Sequence, residues 1–138
     1  MDDFKICIVG TGFAARQHAQ NFKQIENFRL VGVCSKSSER ADSFAQQYSA
    51  TGYDNVEKMI DCEKPNVVAV ATGEYDHVEP VMAALAGSAH VFCEKMLAHN
   101  LSDAEAIIAA AKDANRQVGV NYNYPFVPAH QLLKRKID

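Results

Sequence analysis

The sequence has no tryptophan, only four prolines and seven glycines, and no surplus of positive charge. Fourteen lysines and arginines face 17 aspartates and glutamates, a net charge of −3. That balance argues against a basic nucleic-acid face or a membrane-surface patch. No apolar stretch comes near the ~20 residues of a membrane-spanning helix. The start, Met1-Asp2-Asp3-Phe4-Lys5, is acidic and lacks the apolar segment of a signal peptide. The four cysteines, Cys7, Cys34, Cys62 and Cys93, contain no C-x-x-C pair, so a zinc ribbon or thioredoxin-type motif is not indicated. Three of them sit in or at the end of apolar runs, which points to reduced, buried thiols in a cytoplasmic protein. The histidines show no metal-ligand spacing, and no metal is expected.

What is present suits one soluble domain. The chain has 138 residues, 48% apolar and 22% charged, enough to bury a sizeable core. Short β-branched runs alternate with longer helical segments. Strands are expected over 5–9, 29–34, 66–71, 90–93 and 117–120, with a weak one over 51–53. Helices are expected over 14–25, 38–48, 55–60, 77–85 and 102–114. Ser102 and Glu105 have the spacing of a capping box, and Gly87 suits a helix end. The strands are apolar without alternation, as in a sheet covered on both faces. The order predicts an α/β fold: a doubly wound parallel sheet of about six strands with helices on both faces. After Val120 the style changes. Residues 121–127 read as a loop, and Pro128 suits the first position of a last helix over 128–137.

Gly10-Thr11-Gly12-Phe13-Ala14-Ala15 reads G-x-G-x-x-A, directly after the first strand and before the first helix. Gly10 permits the tight turn, Gly12 lets backbone approach a pyrophosphate, and Ala15 allows close helix–strand packing. The helix N-terminus then offers amides and a positive dipole end to the anion. No G-K-[ST] follows, so a Walker-type nucleotidase is not indicated. An NAD ribose usually meets an acidic residue at the end of the second strand. Here the residues are Ser35, Lys36 and Ser37, with Arg40 one turn on and no carboxylate before Glu39. Hydroxyl donors and cations suit a 2′-phosphate, so NADP is preferred and NAD remains possible. Lys36 reads equally as a solvated turn lysine, and Ser37 or Ser38 as a helix N-cap.

Taken together the residues resemble the N-terminal domain of the Gfo/Idh/MocA (glucose-fructose oxidoreductase / inositol dehydrogenase) family. The resemblance rests on the glycine turn with trailing His18-Ala19 and on Ala71-Thr72 followed by His77. It rests also on Glu94-Lys95-Met96 after the fifth strand, and on Asn123-Tyr124-Pro125-Phe126-Val127-Pro128-Ala129. It implies an NAD(P)-dependent oxidoreductase acting on CH–OH groups of a sugar, cyclitol or similar polyol or carbonyl substrate. It implies a dinucleotide-binding Rossmann domain, carrying NAD(P), over 1–122. Residues 123–138 would then be a connecting loop and helix leading to a second, substrate-binding domain. The full-length protein is expected to be a homo-oligomer, and the 138 residues alone inactive. Two departures stand out. Met96 replaces a proline that often follows a cis peptide in the family; a non-proline cis bond costs roughly 2.5–4 kcal/mol, so a trans bond is expected. Pro125 replaces an arginine.

Thr72-Gly73, Glu94-Lys95 and residues 121–123 fall at strand ends, where open α/β sheets bind ligands. Lys95 is the expected catalytic residue, positioned to favour alkoxide-like charge as hydride leaves carbon. Thr72, Gly73, His77, Glu94 and Asn123 join the expected cofactor site. His77 reads also as a packing or capping residue, and His18 as a structural one. The competing readings are a non-catalytic NAD(P)-binding sensor or regulatory module and a structural relic without cofactor.

Overall fold

The computed structural model describes residues 4–138. The acidic Met1–Asp3 start, read above as unlike a signal peptide, lies outside the described residues. Six strands form one sheet: β1 (Phe4–Val9), β2 (Phe28–Cys34), β3 (Thr51–Tyr53), β4 (Val67–Val70), β5 (His90–Cys93) and β6 (Val118–Val120). Their order is β3-β2-β1-β4-β5-β6, and every neighbouring pair is parallel. The helices between them are α1 (Phe13–Phe22), α2 (Ser38–Gln46), α3 (Val56–Glu63), α4 (Val78–Ala86) and α5 (Leu101–Asp113), with α6 (Pro128–Ile137) last. The weak third strand is real and pairs with β2.

Side chains alternate between the faces of a strand, and the strands here are apolar on both. Ile8, Val33, Ala69 and Ala71 meet Ala15 and Ala19 of α1 and Phe44 and Ala45 of α2 on one side. Cys7, Val9, Val68, Val70, Val91 and Cys93 meet Met59, Ile60, Val81, Ala84, Leu85, Ile107 and Ala111 of α3, α4 and α5 on the other. Fully buried side chains such as Phe44, Leu85 and Ile107 contribute about 1.5–3 kcal/mol each. Because α1 and α4 leave neighbouring strands β1 and β4 toward opposite faces, a crevice opens beyond the carboxyl ends of those two strands.

Several local expectations shift. Helix α5 begins at Leu101, and its cap is Asn100, whose side chain accepts from the Asp103 amide at 2.8 Å; Ser102 lies inside the first turn. Asparagine caps as well as serine does, and its earlier position wins. Helix α3 runs one turn further than expected, to Glu63, and ends at Lys64 in the left-handed region just before Pro65. Helix α1 stops at Phe22, and a turn ending at Asn27 (φ 65°) leads into β2. Helix α6 lies where expected, with every residue from Ala129 to Asp138 exposed.

Burial pushes the thiols of Cys7 and Cys93 up to about 12 and that of Cys34 to about 11, whereas Cys62 is exposed. Thiolate is the reactive form. One thiol is therefore expected to react rapidly with an aromatic disulfide reagent at pH 8, and three only after denaturant is added. A second fast thiol in the native protein would contradict the packing.

Candidate functional site

The turn from β1 to α1 is built around Gly10. Its φ is +113°, and a Cβ there would run into the Ala71 carbonyl, 2.7 Å from its carbon. The Gly10 amide donates to Cys34 O at 2.8 Å, and the Ala71 amide to Val9 O at 2.8 Å, so the turn is stitched to β2 and β4. Gly12 is different. It occupies the N-cap of α1, makes no side-chain cap, and a Cβ on it would meet nothing within 4 Å. Gly73, beyond β4, also faces open space. Three other helices are capped by their own side chains: Ser37 for α2, Asn55 for α3 and Asn100 for α5. The first-turn amides of α1 are left facing the crevice. The fold requires Gly10, but nothing in the protein requires glycine at 12 or 73. Such a bare, dipole-headed cradle suits a pyrophosphate.

A cavity of about 600 Å³ lies over this cradle. It brings together Gly10, Thr11, Gly12, Phe13 and Ala14 from the turn, Ser35, Lys36 and Arg40 from the β2–α2 region, and Thr72 and Gly73 after β4. Six expected site residues lie outside that lining. Ala15 is fully buried and packs under the turn. The Ser37 hydroxyl accepts the Arg40 amide at 3.3 Å, capping α2. His77 is fully buried: its Nδ1 lies 2.6 Å from Met96 O and its Nε2 3.3 Å from Thr72 O. Both neighbours are acceptors, and an imidazole with one ring proton donates to only one of them; the ring is packed between the loop after β4 and the loop after β5, which is the packing role. Glu94 and Lys95 follow β5, three strands away from the β2 end of the cavity, and Asn123 is exposed after β6.

Sequence reasoning missed three acids in the lining, Asp54, Asp76 and Glu79. Lys36 Nζ lies 3.0 Å from Asp76 Oδ2, an exposed ion pair across the cavity mouth. Asp54 directly follows β3, which the weak strand signal at 51–53 left undervalued. Beside the cavity, Glu94 is held by two side chains: His18 Nε2 and Asn121 Nδ2 each lie 2.7 Å from its Oε1. Burial raises the Glu94 carboxyl, but hydrogen bonds from Asn121 and His18 outweigh it, so the group titrates below its ordinary range. An ionised carboxylate only accepts, so His18 Nε2 carries the proton in this contact. His18 also packs edge-on against Phe92. Its structural reading is right, but it serves β5 as well as α1. The backbone amide of Lys95 also supports the carboxylate. The Lys95 side chain is exposed, and its ammonium makes no ion pair among the described residues. The Lys95–Met96 peptide is cis, against the trans expectation; the buried His77 contact to Met96 O belongs to a tertiary setting that local propensity does not capture.

Comparison with known proteins agrees with this geometry. Residues 4–122 match the family described as "Oxidoreductase family, NAD-binding Rossmann fold" (Gfo/Idh/MocA). The chain is 32% identical over 133 residues to glucose-6-phosphate 3-dehydrogenase of Bacillus subtilis, covering 96% of this chain and 37% of that protein. It is 28% identical over 134 residues to scyllo-inositol 2-dehydrogenase (NADP(+)) of the same organism, covering 96% and 41%. A crystal structure of an NAD binding oxidoreductase from Klebsiella pneumoniae superposes with a TM-score of 0.86 at 26% identity, over 98% of this chain and 38% of that one. The chain spans less than half the length of the curated relatives it matches. No helix among the described residues is long and apolar enough to cross a membrane. A parallel six-stranded sheet, an uncapped glycine turn at its switch point and the match over residues 4–122 together place this chain in the Gfo/Idh/MocA oxidoreductase family, as its NAD-binding Rossmann domain.

Proposed function

We propose that this chain is the cofactor-binding part of an NAD(P)-dependent dehydrogenase or reductase acting on a sugar, cyclitol or related polyol. The observation that carries the reading is the cradle: Gly12 and Gly73 open onto the cavity with nothing of the protein against them. The uncapped amides of α1 would hold the pyrophosphate. Ser35, Lys36 and Arg40 would hold the adenosine ribose, with NADP preferred over NAD because they bring a hydroxyl and two cations to the β2 end, against the Asp76 carboxylate beside Lys36. When bound, the nicotinamide supplies the hydride chemistry.

The protein's own contribution near the reacting carbon would come from the loop after β5. Glu94, fixed by His18 and Asn121, anchors the start of that loop. Lys95, exposed beside it and without an ion pair among the described residues, would donate a hydrogen bond to the substrate hydroxyl and stabilise negative charge on that oxygen. Relatives continue well beyond the length of this chain, and a substrate-binding domain after residues 123–138 would complete the site. It would also cover the exposed Leu132, Leu133 and Ile137 of α6. A reducing, cytoplasmic setting fits the three buried thiols, and the full-length protein would form a homo-oligomer.

The test is a calorimetric titration of the chain with NADPH and NADH at one salt concentration. Binding of NADPH at least several-fold tighter than NADH is expected, with Lys36→Ala removing most of the difference. Binding of neither dinucleotide would overturn the reading, and tighter NADH binding would overturn the NADP preference.

A further inference from the structure

Resting on the dinucleotide reading above, we propose that Asp76 is a cofactor-discriminating residue: it holds Lys36 away from a 2′-phosphate and so keeps the site open to both NADP and NAD. Neither residue is near the other in sequence, yet both line the cavity and their charged ends lie 3.0 Å apart.

The two partners differ in freedom. Asp76 ends a short 3-10 turn, Glu74–Asp76, that is tied down on every side. Its amide donates to Gly73 O at 2.8 Å, and its carbonyl accepts the Thr72 hydroxyl at 3.0 Å. The next residue is the fully buried His77, packed against a carbonyl of each flanking loop. The backbone that carries the carboxylate is therefore fixed. Lys36 sits on an exposed turn, with its side chain 80% exposed at the end of a flexible stem. An arriving ligand would move the lysine and leave the aspartate in place.

The consequence is a competition. A 2′-phosphate must draw Lys36 from Asp76 and then accept a fixed negative charge nearby. A 2′-hydroxyl meets neither penalty. Arg40 also lines the cavity and makes no ion pair among the described residues, so it stays available to a phosphate. Cations at 36 and 40 then favour NADP, and the aspartate limits the margin. An exposed pair of this kind is weak, so the effect is a tuning of preference rather than a block.

Four proteins separate the terms: the wild-type chain, Asp76→Asn, Lys36→Ala and the double variant. Each is titrated calorimetrically with NADPH and NADH at fixed salt, with circular dichroism confirming the fold. Asp76→Asn is expected to tighten NADPH about three- to tenfold and to leave NADH within about twofold. In the Lys36→Ala background the gain should be clearly smaller, because only the repulsion between Asp76 and the phosphate is left to relieve. If both cofactors bind and Asp76→Asn leaves their ratio unchanged, the inference is wrong while the dinucleotide reading stands. An equal gain with and without Lys36 also overturns it, because Asp76 would then act without the lysine. If no variant binds either cofactor, the dinucleotide reading itself fails, and this inference with it.

Discussion

Gly10→Ala is expected to lose about 3–5 kcal/mol of folding free energy, and much of the chain's solubility with it. The φ of +113° is one that L side chains rarely adopt, and the added methyl would collide with the Ala71 carbonyl at the head of the crevice. That carbonyl cannot step aside, because β4 is paired on both edges, with β1 and β5. Domains of this size have only about 5–15 kcal/mol in total. Gly12→Ala should behave in the opposite way. Its φ of −78° is ordinary, and the methyl would enter empty space. Its stability should fall by about 1 kcal/mol or less, while dinucleotide affinity falls tenfold or more. Urea denaturation and calorimetric titration of the two variants separate a glycine needed by the fold from one needed by a ligand. A Gly10→Ala protein within about 1 kcal/mol of wild type would refute the collision argument.

The second large effect concerns Glu94. Replacing it by alanine would leave the Asn121 amide and the His18 ring, both partly or wholly buried, without their acceptor. A loss of about 2–4 kcal/mol is expected. Glu94→Gln keeps an acceptor oxygen and loses only the charge-assisted part, about 1 kcal/mol. The two proteins also differ in their response to acid. The folded-state carboxyl titrates below its ordinary value of 4.5, so the native chain binds fewer protons there than the unfolded one. The stabilisation from Glu94 is whole above the unfolded value and disappears as pH falls through the folded one. Denaturant midpoints of wild type and Glu94→Gln should therefore differ at pH 7 and converge as pH falls below the unfolded value of 4.5 and through the lower folded one. A constant gap across that range would mean the carboxylate contributes no pH-dependent stability.

Most of the architecture was legible because it rests on short-range rules. Apolar runs such as Val67–Val70 have little choice but a buried strand, and helices punctuate them at Ser37, Asn55 and Gly87. The glycine turn was legible for the same reason: its meaning lies within six consecutive residues. What escaped was built from distant parts. Nothing local says that Lys36 will meet Asp76, 40 residues away, or that His18 and Asn121 will converge on one oxygen of Glu94, 76 and 27 residues from it. Asn121 was noted only as one residue of the segment after β6. His77 was placed in the cofactor site because it follows the Thr72-Gly73 strand end. The chain turns it inward, since Val81 and Leu85 make the adjoining face of α4 the core side, in one cluster with Val68 of β4. The Asn100 cap is masked in the sequence by Ser102 and Glu105, whose capping-box spacing begins two residues later.

The inward turn of His77 matters for how the site can move. One ring joins the loop at Thr72 to the loop at Met96, and no water need intervene. The two loops are thereby riveted into a single rim along the β4–β5 edge. With a buried ring filling the space between them, Thr72 and Met96 are expected to shift together, as one lip, when this edge of the crevice moves.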